Sequence, residues 1–102
     1  MKEKPLVSII MNCLNCCQFL KDSIDSVYDQ TYENWEIIFW DNFSCDNSSQ
    51  IAQAYNSKLR YFKADKTLPL YEARNFAIDK CHGDLIAFLD CDDIWINNKL
   101  EK

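Results

Sequence analysis

Glycine is almost absent from this chain, which has one, Gly83, in 102 residues. A single glycine cannot build G-x-G-x-x-G or G-x-x-x-x-G-K-[ST], so the dinucleotide fingerprint and the P-loop are excluded. Proline is nearly as rare, at Pro5 and Pro69 only. No apolar run approaches the roughly 18 residues that a membrane span needs. Glu3, Asn12 and Asn15 spoil the opening segment as a signal peptide. Cations are also short: 11 Lys and Arg face 16 Asp and Glu, for a formal net charge of −5 and a pI near 4.7. Nucleic acid is therefore not an expected partner, because neutralising phosphate needs clustered Lys and Arg. An anionic ligand would have to be met by a metal ion or by local cations.

What is present describes one small globular domain. Hydrophobic residues make up 48% and charged residues 26% of the chain, which separates it from disordered sequences. Six cysteines stand at Cys13, Cys16, Cys17, Cys45, Cys81 and Cys91. Secreted disulfide frameworks belong to loop-rich chains, whereas this one has long periodic segments and no export signal. The thiols are read as reduced and the protein as cytoplasmic. Cys13-Leu14-Asn15-Cys16 forms C-x-x-C after an apolar run and invites a thioredoxin-like reading. No second pair completes a zinc site, and neither proline lies beside the motif.

Strand and helix patterns alternate. Leu6–Met11 is apolar and β-branched, a first strand. Phe19, Leu20, Ile24, Val27 and Tyr28 recur at helical spacing, which predicts a helix over 18–31. Trp35–Trp40 is a second strand. Asn47-Ser48-Ser49-Gln50 has the form of a capping box, with Ile51, Ala54 and Tyr55 behind it. Leu59–Phe62 is more polar and fits an edge strand. Pro69 suits a first helical turn, Leu70, Ala73, Ala77, Ile78 and Cys81 share a helical face, and His82-Gly83 is the expected stop. Leu85–Leu89 is a fourth strand, read as buried.

That fourth run ends at Asp90-Cys91-Asp92-Asp93. Hard carboxylate oxygens at the mouth of a sheet suit Mg²⁺ or Mn²⁺, which in turn grip diphosphate. The alternative is a polar loop that caps the next helix. Near-continuous apolar strands alternating with amphipathic helices imply a parallel sheet covered on both faces. Right-handed crossovers then place every strand's carboxyl end on one edge. Asn12, Cys13 and Asn15 from the first strand, Asp41 and Asn42 from the second, and Asp90, Cys91, Asp92 and Asp93 from the fourth converge there. Open parallel sheets bind ligands at that edge.

Val7–Asn15, Ser26–Tyr32, Trp35–Asp46, Ala73-Arg74-Asn75 and Gly83–Asp93 together resemble, in order, the amino-terminal half of a family 2 glycosyltransferase. The departures are Asn12-Cys13-Leu14-Asn15 for Pro-Thr-Tyr-Asn, Phe43 for a glycine and Cys45 for a threonine. The resemblance runs from about residue 5 to the end. It implies a Rossmann-like GT-A domain, a three-layer α/β/α sandwich on a mainly parallel sheet, with residues 1–102 as a partial domain that stops after the Asp-x-Asp. It also implies a nucleotide-sugar donor. Asp41 then accepts hydrogen bonds from the base, Cys13 and Asn15 pack beside the nucleotide largely through backbone, and Asp90 lies near the ribose and metal shell. Asp92 ligates Mg²⁺ or Mn²⁺. Arg74 either reaches the diphosphate or forms a surface ion pair; Asp46 and Asp93 either join the site or cap the helices that follow.

The chain stops nine residues after Asp93. Transfer to an acceptor hydroxyl needs a base, which in the family lies beyond the Asp-x-Asp. The expectation is a donor-binding half without base or acceptor site, at work in the cytoplasm or peripherally at the inner membrane face, with the fourth strand left as an open edge. A homo-oligomer or a partner carrying the acceptor half would cover such an edge. A non-catalytic nucleotide-binding or interaction module is the alternative. A phosphotransferase with an Asp-x-Asp nucleophile is weaker, since Asp93 stands where such enzymes favour Thr or Val.

Overall fold

The computed structural model of the chain describes residues 5–13, 17–42 and 46–89. Seven elements follow in the order β1 (Val7–Cys13), α1 (Cys17–Tyr28), β2 (Trp35–Asp41), α2 (Ser48–Gln53), β3 (Leu59–Lys63), α3 (Leu70–Asp79) and β4 (Leu85–Phe88). The four strands form one parallel sheet in the order β3-β2-β1-β4. Stepping from β1 to β2 to β3 moves across the sheet one way, and the return from β3 to β4 reverses direction. Right-handed crossovers therefore put α1 and α2 on one face and α3 on the other, giving the α/β/α sandwich expected from the sequence.

The two faces are packed from alternate residues of the same strands. Ile9, Met11, Cys13, Ile37 and Phe39 meet Leu20, Ile24 and Val27 of α1 and Ala52 of α2. Ile10, Ile38 and Trp40 meet Ala73 and Ala77 of α3. Both alanines are fully buried, and with no longer side chain they let the α3 backbone approach the sheet closely. Phe76 lies flat on Trp40, with centroids 5.5 Å apart and planes 7° from parallel. No helix among the described residues is long and apolar enough to cross a membrane.

Four local expectations are corrected. The capping box does not form: Asn47 makes no side-chain cap, and Asp46 Oδ1 instead accepts from the Ser48 N–H at 2.9 Å. Gly83 is not the stop of α3, which ends earlier with Lys80 in right-handed helical geometry. Its glycine is required by proximity, because a Cβ there would sit 2.5 Å from Ser8 Oγ and 2.7 Å from the Leu6 carbonyl. The run Leu85–Leu89 is not buried throughout: among the described residues β4 stands at the edge of the sheet, and Leu85, Ile86 and Phe88 are about half exposed. The reduced state expected of all thiols does not hold at Cys13, which is disulfide-bonded; Cys81 is free.

Candidate functional site

The strand order reverses between β1 and β4, and the carboxyl ends of β1, β2 and β4 lie on one edge beside that switch point. Cys13, the last residue of β1, is paired in register with Asp41, the last residue of β2. Both are buried, Asp41 completely. The Cys13 carbonyl accepts from the Asn42 N–H at 2.6 Å, so the two strand ends stay joined one residue past the ladder. The Cys13 sulfur is committed to the disulfide, which leaves its backbone at the strand end.

Asp41 is held from β3. The Tyr61 hydroxyl donates to its Oδ2 at 2.5 Å. Burial pushes the Tyr61 phenol up to about 12, and the bond to Asp41 adds to the shift. The phenol is therefore a donor at neutral pH, and it orients a carboxylate that serves as acceptor. The Tyr61 ring also stacks on Phe39 at 5.8 Å, which fixes where its hydroxyl points. Asn42 is a second anchor. Its amide donates to the Leu68 carbonyl at 2.8 Å and its Oδ1 accepts from the Leu68 N–H at 3.0 Å, clamping the loop that enters α3. The Ala64 N–H donates to the Asp41 carbonyl at 2.9 Å.

Arg74 is exposed on α3, with its guanidinium carbon 5.4 Å from the centre of the Phe88 ring near the end of β4. Among the described residues it makes no ion pair. Its cation thus lies on the α3 side of the strand that leads into Asp90. Asn15, Asp90 and Asp92 lie outside the described residues, as does Asp93. Among the described residues no group of three or more His, Cys, Asp or Glu is placed to hold a metal ion. The structure thus brings Cys13 and Asp41 together and sets Arg74 beside β4.

The residue that sequence reasoning missed is Glu36, at the opposite end of β2. It is 8% exposed. Its Oε2 accepts from the Ser8 hydroxyl at 2.6 Å and the His82 N–H at 2.7 Å, and its Oε1 accepts from Arg60 Nη1 at 3.2 Å. Burial pushes its carboxyl up, but the bonds from Ser8, His82 and Arg60 outweigh that and hold it below the ordinary value. The available signal was a lone acid inside the apolar run Trp35–Trp40.

The chain is similar in sequence to curated proteins. A UDP-Glc:α-D-GlcNAc-diphosphoundecaprenol β-1,3-glucosyltransferase of Escherichia coli, WfgD, is 42% identical over 94% of this chain and 38% of its own length. An uncharacterised glycosyltransferase of Haemophilus influenzae is 38% identical over 96% of this chain and 40% of its own. The chain thus spans about two fifths of the length of these two curated relatives. Among solved structures, Staphylococcus aureus TarS 1–349 in complex with UDP-GlcNAc superposes with a TM-score of 0.86 at 24% identity, over 93% of this chain and 29% of that one. The mannosyltransferase PcManGT of Pyrobaculum calidifontis, in complex with GDP-Man and Mn²⁺, gives 0.85 at 20% identity, over 91% and 29%. At that identity the two structures speak for the fold alone. Residues 8–102 match the family described as Glycosyl transferase family 2, and the chain belongs to it.

Proposed function

We propose that this chain is the nucleotide-sugar-binding part of a glycosyltransferase. The observation that carries the reading is the convergence of three strand ends beside the β1/β4 switch point, with Cys13 and Asp41 in register and β4 running toward Asp90 and Asp92. That edge is where open parallel sheets take nucleotides. Asp41, oriented by Tyr61, offers a carboxylate acceptor that suits the N–H donors of a base. The backbone at Cys13 and Asn15 lies beside the nucleotide. Arg74, exposed on the α3 side of β4, would offset the diphosphate.

Asp90 and Asp92 are the residues that would hold Mg²⁺ or Mn²⁺, since paired carboxylates are the oxygen donors such ions prefer. When bound, the ion supplies charge neutralisation at the diphosphate leaving group. The rest is done by the chain itself: it positions the donor, fixes the base at one end and offsets the diphosphate with Arg74 at the other. The base that deprotonates an acceptor hydroxyl, and the acceptor site, fall in this reading to the part of the relatives' length that the chain does not span.

Titration calorimetry with UDP, GDP and CDP in the presence of Mn²⁺ tests the proposal. Binding of at least one nucleotide, lost on adding EDTA, is expected. Equal heats with and without metal would remove the metal from the reading, and no heat with any nucleotide would sink it.

A further inference from the structure

We infer that Glu36 is a positioning residue for the acid-bearing end of β4: by holding the turn at residues 82–84 against β1 and β2, it fixes where β4 begins and so where that strand delivers Asp90 and Asp92. The inference rests on the donor-site reading given above.

Among the described residues little else holds β4 in place. There it pairs only with β1, over the four partners Val7↔Leu85 to Ile10↔Phe88. Leu85, Ile86 and Phe88 are 54%, 44% and 49% exposed, so apolar burial constrains the strand mainly through Leu89 and partly through Ala87. A strand without a strongly buried face has a weakly specified register, and a slip of one residue turns every side chain to the other face. Such a slip would aim Asp90 and Asp92 away from the edge they serve.

Polar contacts supply the missing constraint, and they meet at Glu36. Its Oε2 accepts from the His82 N–H in the turn and from the Ser8 hydroxyl on β1. Ser8 Oγ in turn accepts from the Gly83 N–H at 2.8 Å. The Asp84 and Leu85 N–H groups both donate to the Leu6 carbonyl, at 2.8 and 3.2 Å, and the Leu6 N–H donates to Asp84 Oδ2 at 3.2 Å. Arg60, bonded to the other Glu36 oxygen, also donates to the Lys80 carbonyl at 2.7 Å and so ties the end of α3 to the same carboxylate. Gly83 leaves no space for a shifted turn, because its α-carbon lies against Ser8 and Leu6. One buried carboxylate thus joins β1, β2, β3 and the α3–β4 turn.

Amide hydrogen exchange and calorimetry on the full chain, with Mn²⁺ and UDP as probes, test this with Glu36→Ala, Glu36→Gln and Ser8→Ala. Glu36→Ala should speed exchange at Leu85, Ala87 and Leu89 by at least about tenfold and weaken Mn²⁺-dependent UDP binding about tenfold, with β3 amides unchanged. Gln keeps a carbonyl oxygen for Ser8 and His82, so Glu36→Gln should retain both properties to within about threefold. Should Glu36→Ala fail to fold, Ser8→Ala removes the Ser8 bonds to Gly83 and Glu36, leaves Glu36 its bonds from His82 and Arg60, and should move β4 exchange and UDP binding in the same direction. Unchanged β4 exchange in the folded variants overturns the inference, as does faster exchange with unaltered binding. If the wild type itself binds no UDP with Mn²⁺, the donor-site reading fails, and the exchange measurement alone decides whether Glu36 positions β4.

Discussion

The two ends of the sheet use buried carboxylates in opposite ways. At the amino end, Glu36 is closed in by the chain's own donors from Ser8, His82 and Arg60. At the carboxyl end, Asp41 is oriented by Tyr61, and the further acids Asp90, Asp92 and Asp93 follow β4 within a few residues. A buried carboxylate is expensive to desolvate and is tolerated where hydrogen bonds and a cation meet it. Glu36 meets that condition within the fold. Three more acids follow β4 in the sequence, and in the proposed reading two of them, Asp90 and Asp92, meet an outside cation instead. The contrast teaches where to look for structure and where for ligand on a single sheet.

The sharpest test separates the ends by readout. Asp92→Ala should lower Mn²⁺-dependent UDP affinity by more than about 100-fold, since even residues that only support a metal ligand cost 10–100-fold when lost. Its thermal midpoint should stay near that of the wild type. Calorimetry paired with a melting curve checks both. A variant that loses stability rather than binding would put Asp92 among the structural acids and erase the contrast.

Glu36→Ala should do the reverse in its first effect, costing about 3 kcal/mol of stability in urea unfolding by leaving Arg60, Ser8 and the His82 N–H without their acceptor. Acid offers an independent check. The Glu36 carboxyl is lowered in the folded protein from an ordinary 4.5. Its contribution is therefore complete above that value and lost as pH falls through the lower, folded one. Stability should decline below pH 4.5, and Glu36→Gln should flatten that decline. An identical acid profile for Glu36→Gln would mean that other carboxylates carry it.

Tyr61→Phe probes the carboxyl end with a smaller change. It removes the donor to Asp41 while keeping the ring stacked on Phe39. About 1.5 kcal/mol of stability should go, and UDP affinity should fall severalfold because Asp41 is less well oriented. A stability loss with no change in nucleotide affinity would class Asp41 with Glu36 and remove it from the site.

The sequence shows the fold and the edge far better than it shows these contacts. Apolar runs alternating with helical stripes are periodic signals, and the right-handed crossover converts them into one edge for Cys13 and Asp41. Glu36 is harder to see, because nothing within Trp35–Trp40 shows that Ser8, 28 residues away, lies beside it. Gly83 reads as a helix stop because the local pattern gives no hint of Leu6 and Ser8 pressing on its α-carbon. Leu85–Leu89 reads as buried from its apolar composition alone, yet Leu85, Ile86 and Phe88 are about half exposed. Each miss depends on a contact distant in sequence. Asn47 fails differently: the local motif is present but its side chain makes no cap, and the helix start is met instead by Asp46, which accepts from the Ser48 N–H.

Asp46 supplies the smallest and most discriminating prediction. It stands at the carboxyl end, just after the strand that ends in Asp41, and its Oδ1 accepts from the Ser48 N–H at the start of the six-residue helix α2. A side-chain acceptor of this kind stabilises a helix start by about 1 kcal/mol. Asp46→Ala should therefore lower stability by about that amount and leave Mn²⁺-dependent UDP affinity within about twofold, because a local helix-start bond carries no ligand. The same calorimetry and unfolding curves serve. If Asp46→Ala instead loses binding while its unfolding curve matches the wild type, its carboxylate belongs to the ligand. The division would then lie not between the two ends of β2 but within the carboxyl end, between an Asp41 held by Tyr61 and an Asp46 turned to the nucleotide.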